Sequence, residues 1–491
     1  MRLDFDDPGL FSFEDSFAGL SHLGTIKKKA ILSARKDFEA VREFAQHHLR
    51  PLVLSADLAV QKDKNALPDD ILALAVKHRM LSLFIPGFIG GGGSGVMYGI
   101  NPCIEEMSSV DPAFQAGVLA GHGLGMAALT VSQNLKIFER VAAKVVSEER
   151  AGRPYLVDCA ITEPMAGSDV EEFDLLPHAR LVSRAGRVEG GALISGNKCF
   201  ISGGHTANLH VIVAPFDLKR PAETLSMFLV PKDSPGFNLG RIEEKMGMKA
   251  GSASELVFDG CFVPNENIVY DGEDIPAAYR ERILHSVLGM TRIAVGAMGT
   301  GVARGAFETA LAFAKTRLWK GKTLIHHQWA QEMLTNMLMN VYMARAVYLE
   351  AGCVLFTAVL PGALPAFMNA RWFERLYQSP IARRIRYSQR VRDAMLKGFF
   401  GKPREDNERL QFYSSLAKVV GSDTGMENCH LALEMMGEHG LRHEAGAEKL
   451  FRDIKLCQIF EGTNQLNRLH MFNHFIARNL PGVNPFSGGR P

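Results

Sequence analysis

The sequence predicts an α+β protein of three parts: an N-terminal α-helical domain over 1–155, a middle antiparallel β domain or barrel over 156–275, and a C-terminal α-helical bundle over 276–491. Two changes of texture carry this reading. Apolar residues recur at three- to four-residue spacing in the first and last parts, the period of helices that bury one face. Between them lie short β-branched and aromatic runs separated by Gly, Pro, Asn and Asp, which is strand and turn chemistry. Composition adds a third observation. With 491 residues, 47% hydrophobic and 22% charged, the chain can build a large core or a deep pocket.

The helical segments ARKDFEAVREFAQHHLRPLV and DDILALAVKHRMLSLF have polar faces between their apolar positions. The run 86–95 contains four consecutive glycines and reads as a loop. The strands of the middle part are YLVDCAIT, ALISG, CFISG, LHVIVAPF, SMFLVP and ELVFDGCFVP. After residue 276, AVGAMGTGVARGAFETALAFAKTR is a long helix whose small residues let a neighbour pack closely on one face. HHQWAQEMLTNMLMNVYMARAVYLEAG continues the period.

Residues 351–408 read as an insertion between two helices of the last part. Positions 351–370 carry no charge, yet Pro361 and Pro365 break them as one straight membrane span. Positions 371–404 hold ten basic residues and two acidic ones, a net +8, leaving −6 for the rest of a chain whose net charge is +2. Trp372, Phe373, Tyr377, Tyr387, Phe399 and Phe400 interleave with the cations. That pattern suits peripheral contact with an anionic membrane surface. A basic hairpin docked on the acidic body or on a partner subunit is the other reading.

Net charge near zero excludes a nucleic-acid binder driven by phosphate contacts. Seven scattered cysteines with no CxxC fit a reducing compartment and oppose both a disulfide framework and a cysteine metal site. The first fifteen residues are acidic and lack a basic, apolar leader, so no signal or transit peptide is expected. Together these predict a cytoplasmic protein, peripheral on the inner face of a membrane, with no metal.

Three segments carry chemistry. In 161–169, ITEPMAGSD follows a strand, and its Gly and Ser let backbone N–H groups approach a bulky or phosphorylated ligand, or simply form a turn. In 196–204, Phe200 and Ser202 stand two apart on a strand and share a face. They suit stacking on a flat ring and bonding to its edge, or belong to a hairpin with a core Phe. Near the end, Glu461 lies in apolar surroundings just before Gly462-Thr463. A carboxylate there suits a general base of raised pKa, or caps a helix.

Together, in this order, the segments resemble the acyl-CoA dehydrogenase family. Thr-Glu-Pro-x-Ala-Gly-Ser-Asp stands at 162–169 and Lys-x-aromatic-Ile-Ser at 198–202. Lys-x-Gly and Val-Pro-x-x-Asn stand at Lys245, Gly247, Val263, Pro264 and Asn267, and Arg-Asp-x-Lys with aromatic-Glu-Gly-Thr runs from Arg452 to Thr463. The resemblance covers about 35–350 and 410–480. It implies the acyl-CoA dehydrogenase-like fold, with FAD held between the β domain and the C-terminal helices. Cys159, Ile161, Thr162, Gly167 and Ser168 would contact the flavin, and Ser168 also the pantetheine arm. Phe200 would stack on the flavin where the family usually has Trp, with Ile201 beside it and Ser202 near N5.

By the same resemblance, Arg317, His327 and Gln328, with Glu434, Gly437 and Glu438, reach the FAD of a neighbouring subunit in a homodimer or homotetramer. Thr463 and Gln465 close that site. Arg292 and Gly462 would lie at the acyl-CoA, and Glu461 would be the base. Some members carry the base where Thr291 stands here. The implied reaction is α-proton abstraction by Glu461 with β-hydride transfer to flavin N5. It gives a trans-2-enoyl-CoA, as in β-oxidation, and passes electrons to an electron-transferring flavoprotein. An acyl-CoA oxidase using O₂ and a non-catalytic binding homologue are the alternatives. Lys320, Glu434 and Glu438 depart from the family pattern at the shared FAD site, as does the insertion.

Overall fold

The computed structural model describes residues 28–66, 68–93, 99–358, 371–401, 404–477 and 482–486. The first helices are α1 (Lys28–Glu43), α2 (Val53–Lys62), α3 (Asp69–Lys77), α4 (Ile100–Val110), α5 (Gly121–Val131) and α6 (Leu135–Arg150). In α6, Ile137, Val141, Ala142, Val145 and Val146 form the buried stripe, and the Asn134 side chain caps the first turn by accepting from the Ile137 N–H at 3.3 Å.

The eight strands that follow are β1 (Val157–Ala160), β2 (Arg184–Val188), β3 (Gly191–Ser202), β4 (Leu209–Pro215), β5 (Leu225–Pro231), β6 (Phe237–Ile242), β7 (Ala253–Pro264) and β8 (Ile268–Tyr270). They form two four-stranded sheets, in the orders β1-β4-β5-β8 and β2-β3-β7-β6. Ile212, Phe228 and Val230 of one sheet pack with Ile194, Leu256 and Phe258 of the other. The expectation of an antiparallel domain or barrel needs one correction: the sheets are separate, and β1 pairs with β4 in parallel, Val157 opposite Leu209. The chain leaves the first sheet after β1, builds β2 and β3 in the second, and returns in the same direction. Such a return is a crossover and not a hairpin.

The last part is built on α7 (Ala277–Thr316), forty residues long. A short hairpin, β9 (Leu318–Trp319) and β10 (Lys322–Thr323), leads to α8 (Gln328–Ala358). Next come α9 (Arg371–Gln378), α10 (Pro380–Arg386), α11 (Gln389–Phe400), α12 (Arg404–Met436), α13 (Ala447–Cys457) and α14 (Asn464–Met471). Glycines let α7 approach two neighbours, and not the one face expected. A Cβ at Gly299 would lie 2.5 Å from the Gly421 carbonyl of α12, and one at Gly305 would lie 2.5 Å from the Ser109 carbonyl of α4. Buried charges join α4 to α7 and to α8. Arg304 pairs with Glu106 at 2.6 Å and Glu308 at 2.7 Å, while Glu105 accepts from Arg345 and, at 2.7 Å, from the Tyr348 hydroxyl.

Residues 112–131 and 279–316 are apolar enough to cross a membrane, but 56% and 83% of their apolar windows are buried inside the protein, so they serve as core helices. The uncharged segment flagged in the sequence falls partly on α8, and its residues 359–370 lie outside the described residues. The basic part, α9–α11, is folded onto the body. On α6, Glu139 accepts from the Tyr377 hydroxyl at 2.5 Å, from Arg386 Nε and Nη2 at 2.7 Å each, and from the Tyr387 hydroxyl at 2.6 Å. Phe88 packs on Phe373 and Tyr377, and Leu396 and Phe400 are buried. All seven cysteines are buried and none forms a disulfide.

Candidate functional site

The segment between α13 and α14 turns through two consecutive left-handed residues, Glu461 at φ 56° and Gly462 at φ 75°. A non-glycine residue there is strained, and the surroundings must hold it. Asn467 does so: its Nδ2 lies 3.3, 2.9 and 3.0 Å from the carbonyls of Glu461, Gly462 and Thr463. Thr463, and not Glu461, caps α14 by accepting from the Leu466 N–H at 3.2 Å. The capping role open to Glu461 is therefore taken, and its carboxylate points elsewhere.

It meets α7. The Thr291 hydroxyl donates to Glu461 Oε2 at 2.5 Å, and Arg292 Nε donates to the Glu461 carbonyl at 3.3 Å. Burial raises the Glu461 pKa above the ordinary carboxylate value, while the Thr291 hydrogen bond and the charges of Arg292 and Lys418 restrain the rise. Arg292 is fully buried and also reaches Gln411 at 3.3 Å and Glu171 at 3.5 Å. It therefore positions the loop that presents the Glu461 carboxylate. Glu171 lies against Gly462, where an added Cβ would stand 2.7 Å from its Oε2. Burial pushes the Glu171 carboxyl up to about 7, with Glu461 adding to the rise and Arg292 opposing it. Lys418, bonded to Asn464 at 2.6 Å, is lowered to about 8 by burial.

An apolar cavity opens beside this group. Cys159, Ile161, Met227, Tyr270, Ile283 and Val287 are among its walls. The Val287 carbonyl lies 3.2 Å from the Thr291 hydroxyl, so the cavity begins one helical turn from the partner of Glu461. Apart from Arg280, its walls are predominantly apolar.

The 162–169 segment is a folded turn. The Glu163 N–H donates to the Ala166 carbonyl at 2.8 Å, and the Gly167 N–H to Asp169 at 2.7 Å. Buried Lys198 pairs with Glu163 at 2.7 Å and donates to the Ile161 carbonyl at 2.9 Å; the Cys199 N–H donates to the Thr162 carbonyl at 3.0 Å. This lock fastens the turn to β3. At the same point the β3–β7 register shifts between Lys198 and Ile201, and Phe200 adopts φ 58°. The bulge turns Phe200 outward, 59% exposed, while Ile201 stays buried and Ser202 half-buried. A hairpin with a core Phe is excluded. An exposed ring held beside Thr162 and Ser202 is a platform that fits a flat cofactor such as the FAD flavin.

The other predicted contacts lie at the far end of α7. Arg317 caps its C-terminus, exposed; His327 is buried with Nε2 3.1 Å from the Trp319 carbonyl; Gln328 begins α8. Glu434, Gly437 and Glu438 are exposed at the end of α12, where His439 packs on Phe313 of α7. Lys320, at φ 46°, stacks 4.3 Å over Trp319. The structure brings Cys159–Ser168, Phe200–Ser202, Arg292 and Glu461–Thr463 to one region, and the Arg317 set to another. From Arg292 to Arg317 the helix rises about 37 Å. Gln465, on α14, is exposed.

The remaining signature residues are structural. Arg452 pairs with Asp57 at 2.8 Å and Glu448 at 2.6 Å, Lys449 with Asp111 and Asp453, and the Gly247 position packs against the Arg452 backbone. Asp57, His443 and Glu448 group closely enough to suggest a metal, but Arg452 already supplies their cation. Sequence reasoning missed Glu171, Lys418, Asn467 and the Lys198–Glu163 lock. The lock alone had a signal, since both residues stand inside recognised motifs.

Comparison with known proteins gives the family and the fold. The model of the acyl-CoA dehydrogenase middle domain matches residues 159–261, and that of the C-terminal domain matches 281–378 and 389–475. Cyclohex-1-ene-1-carbonyl-CoA dehydrogenase of Geobacter metallireducens is 28% identical over 88% of this chain and 94% of its own length. Acryloyl-CoA reductase (NADH) of Anaerotignum propionicum is 25% identical over 89% and 93%. The structure of butyryl-CoA dehydrogenase from Megasphaera elsdenii superposes with a TM-score of 0.67 at 22% identity, covering 89% of this chain and 97% of that one, a likeness of fold. With Glu461, the cavity and the Phe200 platform in one region, and family models over both the middle and last domains, the chain belongs to the acyl-CoA dehydrogenase family, oxidoreductases that act on acyl-CoA.

Proposed function

We propose that the protein oxidises the Cα–Cβ bond of an acyl-CoA thioester to the trans-2-enoyl-CoA, with Glu461 as the base. The observation that carries this is the held carboxylate: Glu461 sits in a left-handed loop, bonded by Thr291 at 2.5 Å, beside an apolar cavity. Its raised pKa makes it a stronger base toward a weakly acidic α-proton. Cys159–Ser168 and Phe200–Ser202 would hold FAD, which supplies the hydride acceptor when bound. Ser168 and Gly462 would face the pantetheine arm and thioester, and the apolar cavity the acyl group. Arg292 keeps the base loop in place through its backbone.

The Arg317, His327, Gln328 and Glu434–Glu438 set stands at the end of α7, about 37 Å along the helix from Arg292. We assign it to the FAD of a second subunit, while Thr463, two residues from Glu461, and Gln465 close the FAD site of their own subunit. The site is then complete only in a homodimer or homotetramer. The electron acceptor we assign is an electron-transferring flavoprotein; rapid reoxidation of reduced enzyme by O₂ would identify an oxidase instead.

The test is anaerobic mixing with acyl-CoAs, read by loss of flavin absorbance. Glu461→Gln should retain FAD and acyl-CoA binding while flavin reduction slows by about 10² to 10⁴-fold, the usual loss on removing a general base. Near-normal bleaching in this variant would move the base elsewhere.

A further inference from the structure

Helices α9 and α10 repeat one pattern. In α9, Trp372 is followed by Arg375 three residues on and Leu376 four residues on. In α10, Ile381 is followed likewise by Arg384 and Ile385. On a helix of 3.6 residues per turn, each triad forms one stripe. All four apolar members are exposed: Trp372 58%, Leu376 56%, Ile381 76% and Ile385 60%. The residues that hold these helices to the body lie on other sides. Phe373 and Tyr377 pack on Phe88, and Arg386 binds Glu139. The body thus supports both helices by one side and leaves the arginine-flanked apolar stripes outward.

We propose that this face docks on an anionic lipid bilayer. Soluble proteins rarely expose such apolar groups together without a partner. The charge distribution selects the partner. Arg383, Arg390 and Lys397 add further exposed cations, while Glu374 and Asp393 are the acidic residues of 371–404 and the rest of the chain carries −6. An anionic surface attracts this face and repels the remainder of the molecule, which sets one orientation. Tryptophan, leucine and isoleucine beside arginine is the composition of a helix lying at the headgroup boundary. Aliphatic side chains add nothing to a purely phosphate-binding site. The inference does not depend on the reaction assigned above, because no residue of the face belongs to that site.

The test is sedimentation of the FAD-loaded protein with vesicles of phosphatidylcholine alone or mixed with phosphatidylglycerol. Wild type should bind the mixed vesicles, in a salt-sensitive way, and not the neutral ones. Arg375→Glu with Arg384→Glu should weaken binding by at least about fivefold per arginine, since each basic residue near the surface contributes about 1 kcal/mol. Trp372→Ser, Leu376→Ser, Ile381→Ser and Ile385→Ser together should abolish binding even at low salt. Both variants should keep wild-type FAD content, substrate-driven flavin reduction and oligomeric state. The proposal is overturned if wild type never binds the mixed vesicles. It is overturned equally if the serine variant dissociates the oligomer, which makes the face a subunit contact. Binding to duplex DNA that matches vesicle binding, and survives the serine changes, would also overturn it.

Discussion

One hydroxyl tempers the basicity that burial gives Glu461, the proposed base. Thr291 Oγ1 carries a single proton, and the Val287 and Leu288 carbonyls, each at 3.2 Å, compete with Glu461 Oε2 at 2.5 Å for it. The shorter bond to the carboxylate favours its charged form. In Thr291→Val that donor is gone, burial is unopposed by it, and the Glu461 pKa should rise further. The base must be ionised to accept a proton, so rate falls as pH drops through its pKa. The acid limb of the pH–rate profile for anaerobic flavin reduction should therefore move to higher pH, by about one unit for a bond worth roughly 1.4 kcal/mol. An unmoved limb would show that Thr291 does not tune the base. Glu461 was legible in the sequence because its apolar setting and the Gly-Thr break are local. Glu171 and Lys418 were not: an ordinary acidic pair and a helical lysine acquire meaning only when α7, α12 and the loop after α13 converge.

At the scale of elements, charge ties α4 to both α7 and α8, and α4 also packs closely on α7. Burial alone would push the Glu106 carboxyl up, but Arg304 and Arg42 outweigh it and bring the pKa down to about 2. A depressed carboxylate stabilises the fold fully above its unfolded pKa near 4.3, and that contribution is lost as pH falls through about 2. Glu106→Gln leaves Arg304 with less compensation in a buried site, a change that costs about 3 kcal/mol. Urea midpoints should show this loss at pH 7, and the gap to wild type should close as pH falls from about 4 toward 2. An equal gap at both ends would exclude the linkage. Helix and strand identity followed from the period of apolar residues. The parallel β1–β4 pair did not, because register between distant strands leaves no local trace. Nor did the bulge at Phe200, where the sequence showed an aromatic on a strand and only the left-handed backbone turns it outward. The glycines of α7 were visible, but their division between two neighbours was not.

Across the whole molecule, the long helix α7 separates the two groups of residues that we propose hold cofactor. Arg317→Ala should lower the FAD content of purified protein and shift its mass toward the monomer in the same titration, as loss of a charge-assisted donor across an interface requires. A variant that stays fully yellow in an unchanged oligomer would remove Arg317 from the shared site. The helix–strand–helix order was legible because texture changes twice along the chain. The seat of α9–α11 was not: Glu139 is one carboxylate in an amphipathic helix, and nothing local says that Tyr377, Arg386 and Tyr387 converge on it across more than two hundred residues. The buried thiols also have a consequence at this scale. Cys103 lies among the first helices, Cys159, Cys199 and Cys261 in the sheets, and Cys353, Cys429 and Cys457 in the last bundle. Burial pushes the Cys199, Cys261 and Cys353 thiols up to about 11 and Cys457 to about 12, and raises the others as well. A thiol that is both covered and protonated resists alkylation until its surroundings open. The seven thiols thus act as internal clocks, timing the local opening of each layer of the fold on the native, unlabelled chain.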